Sequence, residues 1–169
     1  TVDVLHAVGE SEQVVKLIAL TDSVQISPRA AAMKGSQALL DASAVYPLED
    51  LLRTTIMASA NDSDSKLSEY IAGSEENFVD RMNRRAAELG MTNTNYVNCT
   101  GYPQSGQYTT ARDVCRLCCE IAKHPRYNQY ASVWIDKLTH PGGRVTDLTN
   151  TNRLVRFYQG CVRAKCGSI

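Results

Sequence analysis

The sequence lacks an excess of charge of either sign: eighteen Lys and Arg face eighteen Asp and Glu, a formal net charge of zero. Nucleic-acid affinity comes largely from neutralising phosphates, and attraction to anionic lipid comes from basic clusters. Neither nucleic acid nor an anionic membrane surface is an expected partner. Long apolar runs are missing as well. The richest stretch, Val14-Val15-Lys16-Leu17-Ile18-Ala19-Leu20, is interrupted by Lys16 and falls far short of the roughly 20 apolar residues that span a bilayer. No transmembrane segment is expected. The start, Thr1-Val2-Asp3-Val4-Leu5-His6, has neither the basic region nor the apolar core of a secretory signal. Cysteine is absent before Cys99, and His6, His124 and His140 are scattered. There is no HExxH, no GxxxxGK[ST] or GxGxxG loop and no GxSxG elbow, which removes the common zinc, phosphate-cradling and serine-elbow chemistries. The sequence implies no cofactor and no metal.

What is present suits one folded domain. The chain has 169 residues, 43% of them hydrophobic and 21% charged, ordinary values for a globular core. Ser23–Ser27 alternates as a short strand before Pro28, and Ser27-Pro28 opens a helical turn to Ala32. Leu48, Leu51, Leu52, Thr55 and Ile56 form a 3.6-residue stripe, predicting a helix over 48–57 that ends in the polar loop Ser59-Ala60-Asn61-Asp62. A second helix is expected over 65–72, closed by Gly73. A third starts at the cap Ser74, buries Phe78, Met82, Ala86 and Leu89, and stops at Gly90. Thr110-Ala111-Arg112-Asp113 reads as a capping box with Asp in place of Glu, opening a helix to Lys123 that His124-Pro125 stops. Val133–Thr139, the turn Pro141-Gly142-Gly143 and Arg144–Leu148 read as a hairpin, the one clear strand pair. Thr1–Leu20 reads as helix pieces broken near Gly9.

Six cysteines fall at 99, 115, 118, 119, 161 and 166. Cys115, Cys118 and Cys119 share one face of the predicted helix at i, i+3, i+4. Free cysteine is among the most buried residue types, so a core role is expected ahead of a disulfide or a metal.

Two short patterns carry chemistry. Ser59-Ala60-Asn61 has the form S-x-N, and Lys165-Cys166-Gly167 has the form K-x-G. These are two of the three elements of the active-site serine enzymes that handle penicillin. Their surroundings strengthen them: Ile26-Ser27-Pro28-Arg29 through Met33-Lys34-Gly35-Ser36, then Leu48-Glu49-Asp50-Leu51-Leu52, Ile71-Ala72-Gly73-Ser74, Phe78-Val79, Met82-Asn83, Leu89-Gly90-Met91-Thr92-Asn93-Thr94, Gly106–Asp113 and Thr151-Asn152-Arg153-Leu154-Val155. In that order these blocks resemble the low-molecular-weight penicillin-binding proteins, the serine-type D-alanyl-D-alanine carboxypeptidases.

The resemblance implies an α+β, β-lactamase/transpeptidase-like fold, with a helix-rich portion beside a partial antiparallel sheet. It implies an extracytoplasmic enzyme that trims peptidoglycan pentapeptides through an acyl-enzyme and binds β-lactams covalently. By that resemblance Ser59 relays protons near the leaving group, Asn61 holds the peptide amide, and Lys165 offers charge to the terminal carboxylate beside Cys166 and Gly167. Types and tasks agree: a hydroxyl donates and accepts, a carboxamide pairs with an amide, and an ammonium is a point charge. The alternative is that Ser59 and Asn61 merely cap the next helix.

Two departures stand out. The family nucleophile lies in an S-x-x-K that the match places just upstream of Thr1, so residues 1–169 are expected to form a partial domain without that segment and without the last sheet strands. Ser63-Asp64-Ser65-Lys66 spells S-x-x-K but follows the S-x-N directly, in register with a non-catalytic helix. At the other end Cys166 stands where the family has threonine, and a thiol is a weaker donor. A non-catalytic relative that keeps the scaffold and binds peptidoglycan is the alternative function. A class A β-lactamase is disfavoured because those enzymes carry S-D-N.

Overall fold

The computed structural model describes residues 20–161. The helix pieces expected before Leu20, and Lys165, Cys166 and Gly167, lie outside them.

The first element is the strand β1 (Ser23–Gln25), followed by the single turn α1 (Pro28–Ala31). Ser27 caps that turn by accepting the Ala30 amide, with proline at the first helical position. The chain returns as β2 (Val45–Pro47), antiparallel to β1, with Val24 opposite Tyr46 and both buried. The alternation of Ser23–Ser27 predicts β1, whereas Val45–Pro47 gives no strand signal because three residues ending in proline leave too little alternation to register.

The central helix α2 (Leu48–Ala58) buries Leu48, Leu51, Leu52, Ile56 and Met57. It packs against β2, against α3 (Asn61–Ala72), against α6 (Pro125–Ala131) and against strand β4 (Val145–Thr149). The helix α4 (Glu75–Glu88) is capped by Ser74 and lays Phe78, Met82 and Ala86 on α3. The helix α5 (Ala111–Ile121) is capped by Thr110. The Asp113 carboxylate does not close a capping box; it accepts the Asn93 amide at 2.9 Å and the Thr94 hydroxyl at 3.0 Å, tying α5 to the loop after α4. Pro125 stops α5 and also opens α6, whose missing N–H is an orphan at a first helical position in any case.

Strand β3 (Ile135–Thr139) pairs antiparallel with β4. Leu138 and Leu148 turn inward, and Gly142 and Gly143 take the turn at φ +93° and +88°. The short helix α7 (Leu154–Phe157) follows. A helix-rich body with two small antiparallel pairs is the expected architecture.

The cysteines correct the sequence expectation. On α5 the buried stripe is Asp113, Leu117 and Ile121, so Cys115 and Cys119 face outward and Cys118 sits at the border; among the described residues only Cys99 is a fully buried cysteine. Burial, with Asp64 and Glu75 nearby, pushes the Cys99 thiol far up. A thiol reagent therefore labels Cys115 and Cys119 in the native protein, while Cys99 reacts only after denaturation, because the thiolate is the nucleophile. Mass mapping after brief alkylation checks this.

Candidate active site

The site is built where α2 ends. Ser59 closes α2 in the left-handed region, φ 53° and ψ 46°, with its amide donating to Thr55 O at 3.1 Å. A serine there costs about 1 kcal/mol or more, and such strain collects at functional positions. It reverses the chain within two residues, so α3 starts at Asn61, four residues before the sequence expectation. The run Asn61–Ser65 is polar yet buried, a combination that hydropathy assigns to a loop. Tertiary hydrogen bonds hold it as helix instead. Ala60 is the N-cap and no side chain caps this helix. Neither Ser59 nor Asn61 is therefore the N-cap of α3, although Ser59 is the C-cap of α2.

Asn61 is held from both sides. Its backbone amide donates to Ser36 O at 2.8 Å, and its Nδ2 donates to Lys34 O at 2.6 Å. A carbonyl can only accept, so the carboxamide orientation is fixed with nitrogen toward Lys34. Among the described residues its Oδ1 then has no hydrogen-bond partner, which leaves it as an acceptor for an incoming N–H. Gly35, between those two carbonyls, has φ +89°, and a Cβ there would lie 2.7 Å from Asn61 Nδ2. Sequence alone gives neither Gly35 nor Lys34 a role, because a glycine in a polar loop is common.

Asp62 continues the stitching. Its carboxylate, wholly buried, accepts the amides of Ala38 at 2.9 Å and Leu40 at 3.0 Å. The strap over residues 34–40 is thus pinned to the start of α3 by two consecutive side chains. The Ser63 hydroxyl lies 2.7 Å from that of Thr54, locking α3 to α2, and Lys66 pairs with Glu69 at 3.3 Å. Ser63 and Lys66 are engaged with separate partners, and Ser63 is wholly buried. This second S-x-x-K is structural.

A polar cluster braces the strap from the hairpin side. The His140 ring, buried, lies with Nδ1 2.7 Å from the Tyr46 hydroxyl and Nε2 2.7 Å from the Thr146 hydroxyl. Arg144 donates to His140 Nδ1 at 3.0 Å, to Leu39 O at 2.6 Å and to Asp41 at 2.7 Å. A guanidinium only donates, so Nδ1 accepts and Nε2 carries the proton. Burial first, then Arg144, hold this imidazole below its ordinary pKa, against the opposing pull of Asp41 and Asp62. The unfolded chain then takes up the proton first as pH falls. Stability present above about pH 6.5 is lost as pH drops from there through the depressed native pKa. Thermal melts at pH 7.5 and pH 5 show a larger fall in wild type than in His140→Gln, in which this contribution is gone.

Among the described residues no group of three or more His, Cys, Asp and Glu side chains could hold a metal ion, and no helix is long and apolar enough to cross a membrane.

A strained turn thus joins a buried helix to a polar one, with a hairpin packed alongside. Residues 6–168 match the model of the peptidase family S11, D-alanyl-D-alanine carboxypeptidase, and the chain belongs to that family. It is 36% identical over 150 residues to the D-alanyl-D-alanine carboxypeptidase DacF of Bacillus subtilis (strain 168), covering 89% of this chain and 39% of that protein. It is 36% identical over 119 residues to DacC of Escherichia coli (strain K12), covering 66% of this chain and 29% of that protein. The chain thus spans about two fifths or less of these relatives' length. The Streptomyces K15 DD-transpeptidase superposes with a TM-score of 0.85 at 21% identity, over 99% of this chain and 68% of that one. Penicillin-binding protein 5 of Haemophilus influenzae gives 0.83 at 27% identity, over 92% of this chain and 45% of that one.

Proposed function

We propose that the protein is an extracytoplasmic serine-type D-alanyl-D-alanine carboxypeptidase, a proteolytic enzyme of the cell wall that acts on peptidoglycan pentapeptide and is acylated by β-lactams. The residues described here form one wall of its cleft. The observation that carries the reading is Asn61, whose carboxamide is locked by Lys34 O so that Oδ1 is left to accept a hydrogen bond.

In this reading Oδ1 accepts an N–H of the peptide on the acyl side of the scissile D-Ala-D-Ala bond, holding the carbonyl in line for attack. Ser59, at the border of the cleft, passes a proton to the leaving D-alanine. The attacking serine belongs to an S-x-x-K segment outside residues 1–169, and its oxygen adds to the penultimate D-Ala carbonyl to form the acyl-enzyme that water then hydrolyses. Lys165 offers charge to the terminal carboxylate, with Cys166 and Gly167 lining that end. Cys166 in place of a hydroxyl is the feature that favours the second reading, a scaffold that binds peptidoglycan without turnover.

Release of free D-alanine from a peptide ending in L-Lys-D-Ala-D-Ala, measured on the full-length protein, separates the two. The carboxypeptidase releases one equivalent per peptide, and benzylpenicillin stops it. Binding of the peptide with no D-alanine released overturns the enzymatic reading.

A further inference from the structure

An exposed aromatic ring stands next to the locked amide. A Cβ at Gly35 would lie 3.7 and 3.8 Å from two carbons of the Tyr102 ring, as well as 2.7 Å from Asn61 Nδ2. Tyr102 and Asn61 therefore flank the same glycine, although 41 positions separate them in sequence. The ring is 52% exposed, and no described residue hydrogen-bonds its hydroxyl.

The loop that carries the ring is braced from beneath. Tyr102 O accepts from Asn98 Nδ2 at 2.8 Å and from Gln107 Nε2 at 3.1 Å, and Asn98 also contacts Gln104 at 3.2 Å. The Gly101 amide donates to Asn98 Oδ1 at 2.8 Å, and Gly101 turns the chain at φ +74°. Asn98, the hub, is buried. A rigid aromatic presented this way contributes contact area with little loss of side-chain freedom, having two χ angles only.

We propose that Tyr102 is a specificity-determining residue of the site, its ring forming an apolar shelf for the group attached to the acyl-side amide that Asn61 holds. The proposal rests on the carboxypeptidase reading. The class of ligand it favours is an acylated amine with an aliphatic chain or aromatic ring next to the amide: the side chain preceding D-Ala-D-Ala in a stem peptide, or the acyl side chain of a penicillin. Gly35 leaves the space between ring and amide open, so the ligand's amide and its apolar group are read by adjacent surfaces. Aromatic contacts of this kind are worth up to about tenfold in binding or rate.

The test compares two β-lactams that share the reacting ring. Benzylpenicillin carries a phenylacetyl group on its amide, and 6-aminopenicillanic acid carries a free amine in its place. Second-order acylation rates are measured on full-length wild type, Tyr102→Ala and Tyr102→Phe. The expected result is a fall of about tenfold for Tyr102→Ala with benzylpenicillin, no change with 6-aminopenicillanic acid, and wild-type rates for Tyr102→Phe with both. Equal losses for the two compounds, or none for either, overturn the shelf while leaving the carboxypeptidase reading intact. Acylation of wild type by neither compound removes that reading, and the shelf with it.

Discussion

On the proposed carboxypeptidase reading, Gly35→Ala slows acylation of the full-length protein by benzylpenicillin about a hundredfold or more while the protein stays folded. The added methyl would sit 2.7 Å from Asn61 Nδ2, a separation that real carbon and nitrogen atoms do not tolerate. Asn61 Nδ2 is held at 2.6 Å by Lys34 O, so it cannot retreat without breaking the bond that fixes the carboxamide. Either the strap moves outward or the amide rotates, and in both cases Oδ1 leaves the position from which, in the proposed reading, it meets the substrate. Misplacement by about 1 Å is enough for a hundredfold loss. The backbone adds a separate cost of about 1 kcal/mol, because alanine at φ +89° is strained. Gly73→Ala is the control: φ is +81° and nothing lies within 4 Å of the added methyl. It shares the strain and leaves acylation unchanged. Comparable acylation losses in the two variants would show that backbone strain, and not displacement of Asn61, explains the first.

Asp62→Ala lowers stability by about 3 kcal/mol, the larger of the expected effects on folding. Two amides, those of Ala38 and Leu40, lose their acceptor in a place that water does not reach. Each orphaned buried donor costs roughly 1–3 kcal/mol. For a chain of this size the midpoint of thermal unfolding falls by about 10 °C. Asp62→Asn falls between, because its one carbonyl oxygen serves one amide while its NH2 faces the other. Paired melts of wild type and both variants measure this. Equal midpoints for the alanine variant and wild type would mean that the strap over residues 34–40 is not anchored by Asp62.

Local patterns were enough for the elements that bury a continuous stripe. Leu48, Leu51, Leu52 and Ile56 announce α2 because that helix faces the core along its length, and Ser74 with Gly90 frames α4. Sequence periodicity misplaces the start of α3 because Asn61–Ser65 is buried through polar partners distant in the chain, and hydropathy cannot register partners. It misplaces the thiols of α5 for a related reason. Three residues at i, i+3, i+4 define a face but do not say whether that face is the buried one, and Leu117 and Ile121 lie on another. Ser59 and Asn61 are legible as candidates through the family order of the surrounding blocks. Lys34, Gly35, Asp62 and Tyr102 emerge only when the strap, α3 and the loop after Asn98 are brought together, across separations that no three-residue motif spans.

The central claim is that Ser59 and Asn61 serve an acyl-enzyme whose nucleophile lies in a separate S-x-x-K. The most direct measurement is intact mass of the full-length protein after benzylpenicillin, followed by peptide mapping of the adduct. The account predicts a gain of one penicilloyl group, carried by a serine outside residues 1–169 and lost when that serine is replaced by alanine. An adduct on Ser63, or no adduct on a folded protein, would contradict it.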